Sequence, residues 1–399
     1  MLIVKNKEGI LYSLLSTNNE KILKNREKQF YCPCCGSRVF LKAGKIKVAH
    51  FAHKANESCS YATEGETEEH LLGKQLLYTW LRKQNLNVQM EKFFPSFKQR
   101  ADLYVENDGK KFAIEYQCSI ISPEDIKKRT VFYRKNGVTP IWILSSRHLK
   151  IKRPTEYILS AFQWYTSAGT IKCPIIRFFS PYTQQFTILQ QLTPFSSRST
   201  FSNPQTYPVN QLTFQHLLSC IPRHFSAIQK WMNKKQLWRQ SATLYVDVNH
   251  PFFKSIYLEK IFPSTFPNEI GIPVPYMHLY ETNAIHWQFW IYKNVISKKA
   301  IGDTIYLHEC QRSLIQSIKE KFICLRILPY FSSINPLLPM KYYIQMLVRL
   351  EFLEEMAPDV YVLKRKVELY NPAFPEREKM FNLKVANIYE ELMKNANDS

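Results

Sequence analysis

The dipeptide Asp108-Gly109 constrains this chain more than any other feature. It lies between Gln99-Arg100-Ala101-Asp102-Leu103-Tyr104-Val105-Glu106-Asn107 and Lys110-Lys111-Phe112-Ala113-Ile114-Glu115-Tyr116-Gln117. Both central residues of a type I′ turn need positive φ, and Asp-Gly is a strong signal for it, so the flanks fold back as an antiparallel hairpin with Asn107 opposite Lys110. Counting outward along the ladder brings Asp102 opposite Glu115 and Arg100 opposite Gln117. Opposed Cβ atoms lie about 5 Å apart. Alternation puts Ala113, Glu115 and Gln117 on one face and Phe112, Ile114 and Tyr116 on the other. Two carboxylates so placed raise each other's pKa unless a cation sits between them, and a hard divalent ion with oxygen ligands resolves the conflict. The alternative is an exposed hairpin carrying ordinary surface acids.

The flanks favour a site. Glu66 to Gln84 reads as an amphipathic helix with an apolar stripe Leu72, Leu76, Trp80, flanked by Leu77 and Leu81. Three residues back along that stripe stands Glu69, a candidate direct or indirect metal ligand. Glu66 is one turn away and His70 adjacent, although acids here also complement a helix N-terminus. After the hairpin, Ser122-Pro123-Glu124-Asp125 reads as a helix start with Ser as N-cap, running to about Lys135 and stopping at Asn136-Gly137. On this helix Arg129 and Tyr133 stand one turn apart and are candidates to contact phosphate. Thr139-Pro140-Ile141-Trp142-Ile143-Leu144 reads as a strand buried on both faces. With a strand over Val88 to Phe94 the order is α, β, β, β, α, β.

Upstream, Cys32-Pro33-Cys34-Cys35-Gly36 contains the CxxC-Gly knuckle that lets two thiolates reach one tetrahedral ion. With His53 and Cys59 downstream, and Gly44 to Val48 read as a turn plus short strand, residues 1–62 form a zinc-ribbon-like unit with Cys32, Cys35, His53 and Cys59 as ligands. His50 is an alternative to His53 or Cys59, and Cys34 a bystander. A redox pair would need a βαβ setting, which does not surround this motif.

Composition bounds the rest. The 54 Lys+Arg against 33 Asp+Glu give a net charge of +21, which draws polyanions, nucleic acid foremost. With 45% hydrophobic residues the chain can build a sizeable core, so global disorder is excluded. No apolar run approaches the roughly 20 residues of a membrane span, and Met1 to Glu8 lacks a signal-peptide core. The odd count of nine Cys argues against a secreted disulfide framework, so a cytoplasmic location is expected. No internal repeat is visible.

Several strings act as a set: Cys32-Pro33-Cys34-Cys35-Gly36 with His50-Phe51-Ala52-His53, Glu66-Thr67-Glu68-Glu69-His70, Arg100-Ala101-Asp102-Leu103, Ala113-Ile114-Glu115-Tyr116-Gln117, Ile121-Ser122-Pro123-Glu124 and Trp142-Ile143-Leu144. The order of elements resembles the PD-(D/E)xK nucleases, and the set resembles the competence protein CoiA family over residues 1 to about 150. The resemblance implies an α/β restriction-endonuclease-like core over residues 63–150 behind a structural zinc unit. It further implies catalytic Mg²⁺ or Mn²⁺ and a role in handling incoming single-stranded DNA with recombination and single-strand-binding proteins. Residue by residue, the metal-binding acids fall on Asp102 and Glu115 and the helix acid on Glu69 or Glu66, with Arg100 or Arg129 on phosphate. Gln117 stands where the family pattern usually has Lys. Lys would polarise the attacking water and neutralise developing charge, whereas Gln only orients it. A non-catalytic DNA-binding adaptor on a nuclease fold is the rival reading.

Residues 151–399 read as a basic, aromatic-rich, mostly helical region. Residues 196–210 are expected as a linker or long loop. Pro339 to Leu363 reads as a helix, a turn at Ala357-Pro358-Asp359 and a strand, which would suit a winged-helix element. The run His286 to Tyr292 is core more readily than a base-stacking platform.

Overall fold

The computed structural model describes residues 1–16, 28–43, 49–54, 59, 66–95, 98–219, 227–244, 249–331 and 334–395. Five short strands, β1 (Ile3–Lys5), β2 (Leu11–Ser13), β3 (Phe30–Tyr31), β4 (Arg38–Lys42) and β5 (His50–Ala52), make an N-terminal sheet in the order β2-β1-β3-β4-β5. Leu2, Val4, Phe30, Val39 and Phe51 are buried there. The turn expected at Gly44 to Val48 lies outside the described residues.

Helix α1 (Glu68–Arg82) starts at Thr67, whose hydroxyl accepts the His70 N–H at 3.2 Å. Its buried side chains include Leu77, Trp80 and Leu81 of the expected apolar face, joined by Leu71 and Lys74, whereas Leu72 and Leu76 are only half-buried. Gly73 brings the helix close to the sheet. A Cβ there would meet the Tyr116 ring at 2.1 Å, so the absent side chain lets the helix lie directly on the strand below.

The strand expected over Val88 to Phe94 is two, β6 (Asn87–Met90) and β7 (Phe93–Phe94), interrupted at Glu91 with φ of +52°. Strand β7 pairs with β8 (Gln99–Arg100), setting Phe93 opposite Arg100. The hairpin of β9 (Leu103–Asn107) and β10 (Lys110–Gln117) has Asn107 opposite Lys110, with Asp108 and Gly109 both at positive φ. Its ladder ends at Leu103 opposite Ile114. Arg100 is therefore not opposite Gln117: β7 takes its backbone, and the Asp102 carbonyl accepts the Glu91 N–H at 2.8 Å.

Helix α2 (Pro123–Lys135) begins on the Ser122 cap, and β11 (Val138–Ser145) lies parallel to β10, buried along most of its length. The sheet does not stop at the boundary expected near residue 150. It continues through β12 (Lys150–Arg153), β13 (Glu156–Ile158), β15 (Pro174–Ser180), β16 (Gln185–Pro194) and β17 (Ser199–Pro208), with α3 (Ala161–Tyr165) and β14 (Ala168–Gly169) between. The order is β12-β13-β17-β16-β15-β11-β10-β9-β6, with β14 on β15. Residues 196–210 are thus not a linker but supply β17. Several of its polar side chains are bonded within the sheet, as where the Ser202 hydroxyl donates to the Gln190 carbonyl at 2.8 Å. Strand β13 pairs only with Ser199–Phe201, so Pro204 and Pro208 stand where one strand edge is open.

One sheet face, with Ile114, Tyr116, Ile143, Phe179 and Phe186, packs toward α1 and the N-terminal sheet. The other, with Trp142, Leu144, Phe178 and Leu189, joins the core of the C-terminal part. That part comprises α4 (Phe214–Leu218), α5 (Ala227–Ser241), α6 (Pro251–Leu258), α7 (Ala284–Asn294), β18 (Thr304–Tyr306), α8 (Leu307–Lys319), α9 (Leu338–Arg349), β19 (Leu353–Ala357), β20 (Val360–Leu363) and α10 (Pro375–Asn395). Its three strands order as β18-β20-β19. Trp287, Phe289 and Trp290 are buried core residues, with the Trp287 ring edge-on to Tyr280 and Tyr343. Among the described residues no helix is long and apolar enough to cross a membrane.

Gly73→Ala should lower stability by about 1–3 kcal/mol through overpacking against Tyr116, measured as a shift in the denaturant midpoint. An unchanged midpoint would mean that α1 does not sit this close to β10.

Candidate active site and metal centre

The N-terminal cluster is built by two chain reversals. After β3, the Cys32 N–H donates to the Ser37 carbonyl at 2.8 Å and the Gly36 N–H to the Cys32 carbonyl at 3.0 Å, a turn completed by Gly36 at φ of +73°. Strand β5 then delivers His53. The ligand atoms of Cys32, Cys35, His53 and Cys59 all lie within 4.8 Å of one another, with Cys32 Sγ to Cys59 Sγ at 4.0 Å and Cys35 Sγ to His53 Nε2 at 3.3 Å. A tetrahedral zinc with Zn–S near 2.3 Å and Zn–N near 2.05 Å gives S–S and S–N edges of about 3.8 and 3.6 Å. The four residues could therefore hold a structural zinc ion. The Cys34 thiol, with the backbone N–H groups of Cys34 and Cys35, brings the Cys32 thiol down to about 4 against its burial. His50 sits opposite Lys42 in the β4–β5 ladder, outside that group.

The second cluster gathers where β9 and β10 part. Asp102 leaves the ladder, and its carboxylate accepts the Tyr116 backbone N–H at 3.0 Å and lies 3.1 Å from His70 Nε2. Burial would raise its pKa, but His70, Lys74 and Arg129 hold it well below the usual range. Glu115, 1% exposed, lies on the α2 side of β10, where Arg129 and Tyr133 both donate to its carboxylate. Its pKa moves up, because burial and the Asp102 charge outweigh Arg129. Glu69 accepts from Ser145 and from the Tyr116 hydroxyl at 3.3 Å, and pairs with Arg147 at 3.3 Å. Gln117 shares the Glu115 face by alternation, and its amide donates to the Ser119 carbonyl at 2.9 Å. Arg100 pairs with Glu66 at 3.2 Å. Asp102, Glu115 and Arg100 thus belong to one electrostatically linked cluster, whereas Glu69 pairs with Arg147.

Sequence reasoning passed over the cation at the centre. Lys74 is fully buried, with Nζ 2.8 Å from Glu66, 2.5 Å from Glu91 and 4.0 Å from Asp102. Glu91 in turn accepts the backbone N–H groups of Leu2 and Ile3 at 3.0 Å. The available signal was the helical spacing Glu66, His70, Lys74, which runs straight into Leu77 and Leu81 and sets a charge inside an apolar face. Glu91 had no such signal.

The fold is mixed α/β, and residues 66–222 match the profile described as the competence protein CoiA nuclease-like domain. Residues 14–62 match the N-terminal domain of the same protein and residues 227–374 its C-terminal domain. Competence protein CoiA of Bacillus subtilis (strain 168) is 29% identical over 362 residues, 89% of this chain and 94% of the relative. No solved structure matches the chain. The chain belongs to the competence protein CoiA family.

Purified protein should carry stoichiometric zinc, measured by atomic absorption, and Cys35→Ser and His53→Ala should each deplete it while Cys34→Ser should not. Equal zinc in all three variants would place the ion elsewhere.

Glu66, Glu91 and Asp102 all have lowered pKa values in the folded chain. The stability they contribute is complete above the ordinary carboxylate range of about 4 and is lost as pH falls below it. Lys74→Met strands these buried acids, at an expected cost of about 3–5 kcal/mol near neutral pH. The deficit should shrink near about pH 5, as the unpaired acids protonate. Urea melts at both pH values check this, and a deficit independent of pH would contradict it.

Proposed function

We propose that the chain is a metal-dependent deoxyribonuclease of PD-(D/E)xK type that processes incoming single-stranded DNA in the cytoplasm during competence. The observation that carries this reading is that buried Glu115 and half-buried Asp102, at the end of a β-hairpin in the nuclease-like domain, lie close enough for the Asp102 charge to act on Glu115. Their environments push their pKa values in opposite directions, a pattern typical of working acid pairs. In this reading Asp102 and Glu115 hold Mg²⁺ or Mn²⁺, and Glu69 supports the site from α1. When bound, the ion lowers the pKa of water and polarises the phosphodiester. In this reading Arg129, now donating to Glu115, turns to phosphate when a cation takes over that carboxylate, whereas Tyr133 is fully buried and stays with Glu115. Gln117 orients water from the Glu115 face, and Arg100 stands nearby on Glu66 to meet a second phosphate.

The rival, a DNA-binding adaptor that recruits recombination or single-strand-binding proteins, is favoured by one specific observation. The Gln117 amide is engaged by Ser119, and the third position of the motif carries no cation. The order α7-β18-α8-α9-β19-β20, with the sheet order β18-β20-β19, supports a winged-helix reading of the C-terminal part. Glu354, Glu355 and Asp359 at or beside its wing are exposed. Such an acidic wing suits a protein partner better than a phosphate backbone.

Labelled single- and double-stranded DNA incubated with purified protein and Mg²⁺ or Mn²⁺ should be cut, and Asp102→Ala or Glu115→Ala should each slow cutting at least about a hundredfold. Firm DNA binding without cleavage by wild type under either metal would establish the adaptor instead.

A further inference from the structure

At the end of the ten-stranded sheet remote from β9, the β12–β13 hairpin, β17 and one side of α5 enclose a groove of about 540 Å³. That volume lies within the range of small-ligand sites. Its apolar lining includes Phe195, Phe201, Trp238 and Leu237, the last 49% exposed. The Trp238 ring is held edge-on against Phe266 at 5.2 Å, so its orientation is set in advance. Around it stand Lys152, Arg153, Lys230 and Lys234. Lys234 lies over the Phe195 ring at 4.9 Å and the Phe201 ring at 5.6 Å, and Lys230 donates to the Thr155 hydroxyl at 2.7 Å. Among the described residues the lining contains one acid, Glu156, which is buried and satisfied. It pairs with Lys234, accepts from Ser199 at 2.9 Å and lies 3.7 Å from Lys152. Among the described residues four cations and one carboxylate line the groove.

We propose that this groove binds single-stranded DNA, one base lying against Trp238 and Leu237 and the adjoining phosphates meeting Lys152, Arg153 and Lys230. A duplex needs only the cations. An indole and an apolar shelf recessed among them suit an unpaired base, whose face is free to stack. The choice of DNA rests on the function proposed above, but the groove's chemistry does not involve Asp102 or Glu115. From β10 to β13 the sheet order counts five strand spacings, about 24 Å at ~4.8 Å each. The groove is therefore a separate foothold, positioned to hold a strand whose continuation reaches the carboxylates.

The test is fluorescence anisotropy of a labelled oligothymidine with the full chain across a salt series. The double change Lys152→Gln, Arg153→Gln replaces side chains on an exposed strand and should lower the steepness of log affinity against log salt by about 1.4, or about 0.7 for each phosphate no longer neutralised. Trp238→Ala should weaken binding about tenfold or more, with its melting curve recorded beside it. An unchanged affinity and salt slope in the double variant, absence of wild-type binding, or tighter binding of oligouridine would each overturn the proposal. Cleavage is scored separately. Binding through the groove without cleavage would sink the nuclease and leave the groove, whereas normal binding by the groove variants with cleavage intact would do the reverse.

Discussion

The buried ammonium of Lys74 is the constraint on which the arrangement around the carboxylates depends. Taking a Lys out of water is costly unless its partners are close and themselves satisfied. Here the partners come from separate parts of the chain: Glu66 ahead of α1, Glu91 between β6 and β7, and Asp102 at the start of the hairpin. Glu91 also accepts the first backbone N–H groups of β1 and its neighbour, so one side chain joins the N-terminal sheet to the central one. Removing any of these acids leaves the buried ammonium less fully matched, so the network ties three separate parts of the chain to one point.

That network explains why Asp102 and Glu115, one step beyond a paired ladder, have opposite electrostatic characters. Asp102 turns toward α1, where His70 and Lys74 favour its ionised form. Glu115 faces α2 in nearly complete burial, where Arg129 only partly offsets desolvation. Tyr116 lies between them in sequence and connects the two sides. Its backbone N–H meets Asp102, its hydroxyl meets Glu69, and its ring fills the place left by the missing side chain of Gly73.

What was legible in the sequence was local. The Asp108-Gly109 turn sets its own register, Ser122-Pro123 starts its own helix, and the knuckle after Cys32 needs only the residues that form it. Long-range events were not legible. Lys74 finds Glu91 across 17 residues, and the break at Glu91 diverts Arg100 to Phe93, ending the ladder one residue before Asp102. Strand β17 escaped because its buried polar side chains, Thr200 and Ser202 among them, depart from the apolar alternation by which strands are recognised. Ser202 is satisfied by the Gln190 carbonyl on the neighbouring strand, a partner that no window of sequence displays.

The same distinction bears on the basic surplus. A net +21 says nothing about where positive charge is available. Around the carboxylates the cations are already matched: Lys74 and Arg100 by Glu66 and Glu91, Arg129 by Glu115, Arg147 by Glu69. These ion pairs shape the site but add little attraction for a distant polyanion. At the β12–β13 hairpin the balance is reversed, since four cations share one carboxylate. In the groove binding proposed above, a polyanionic strand is drawn to a surface remote from the acids, because long-range attraction follows local charge excess. In that reading capture and carboxylate chemistry are physically separable, and the central sheet spans the distance between them.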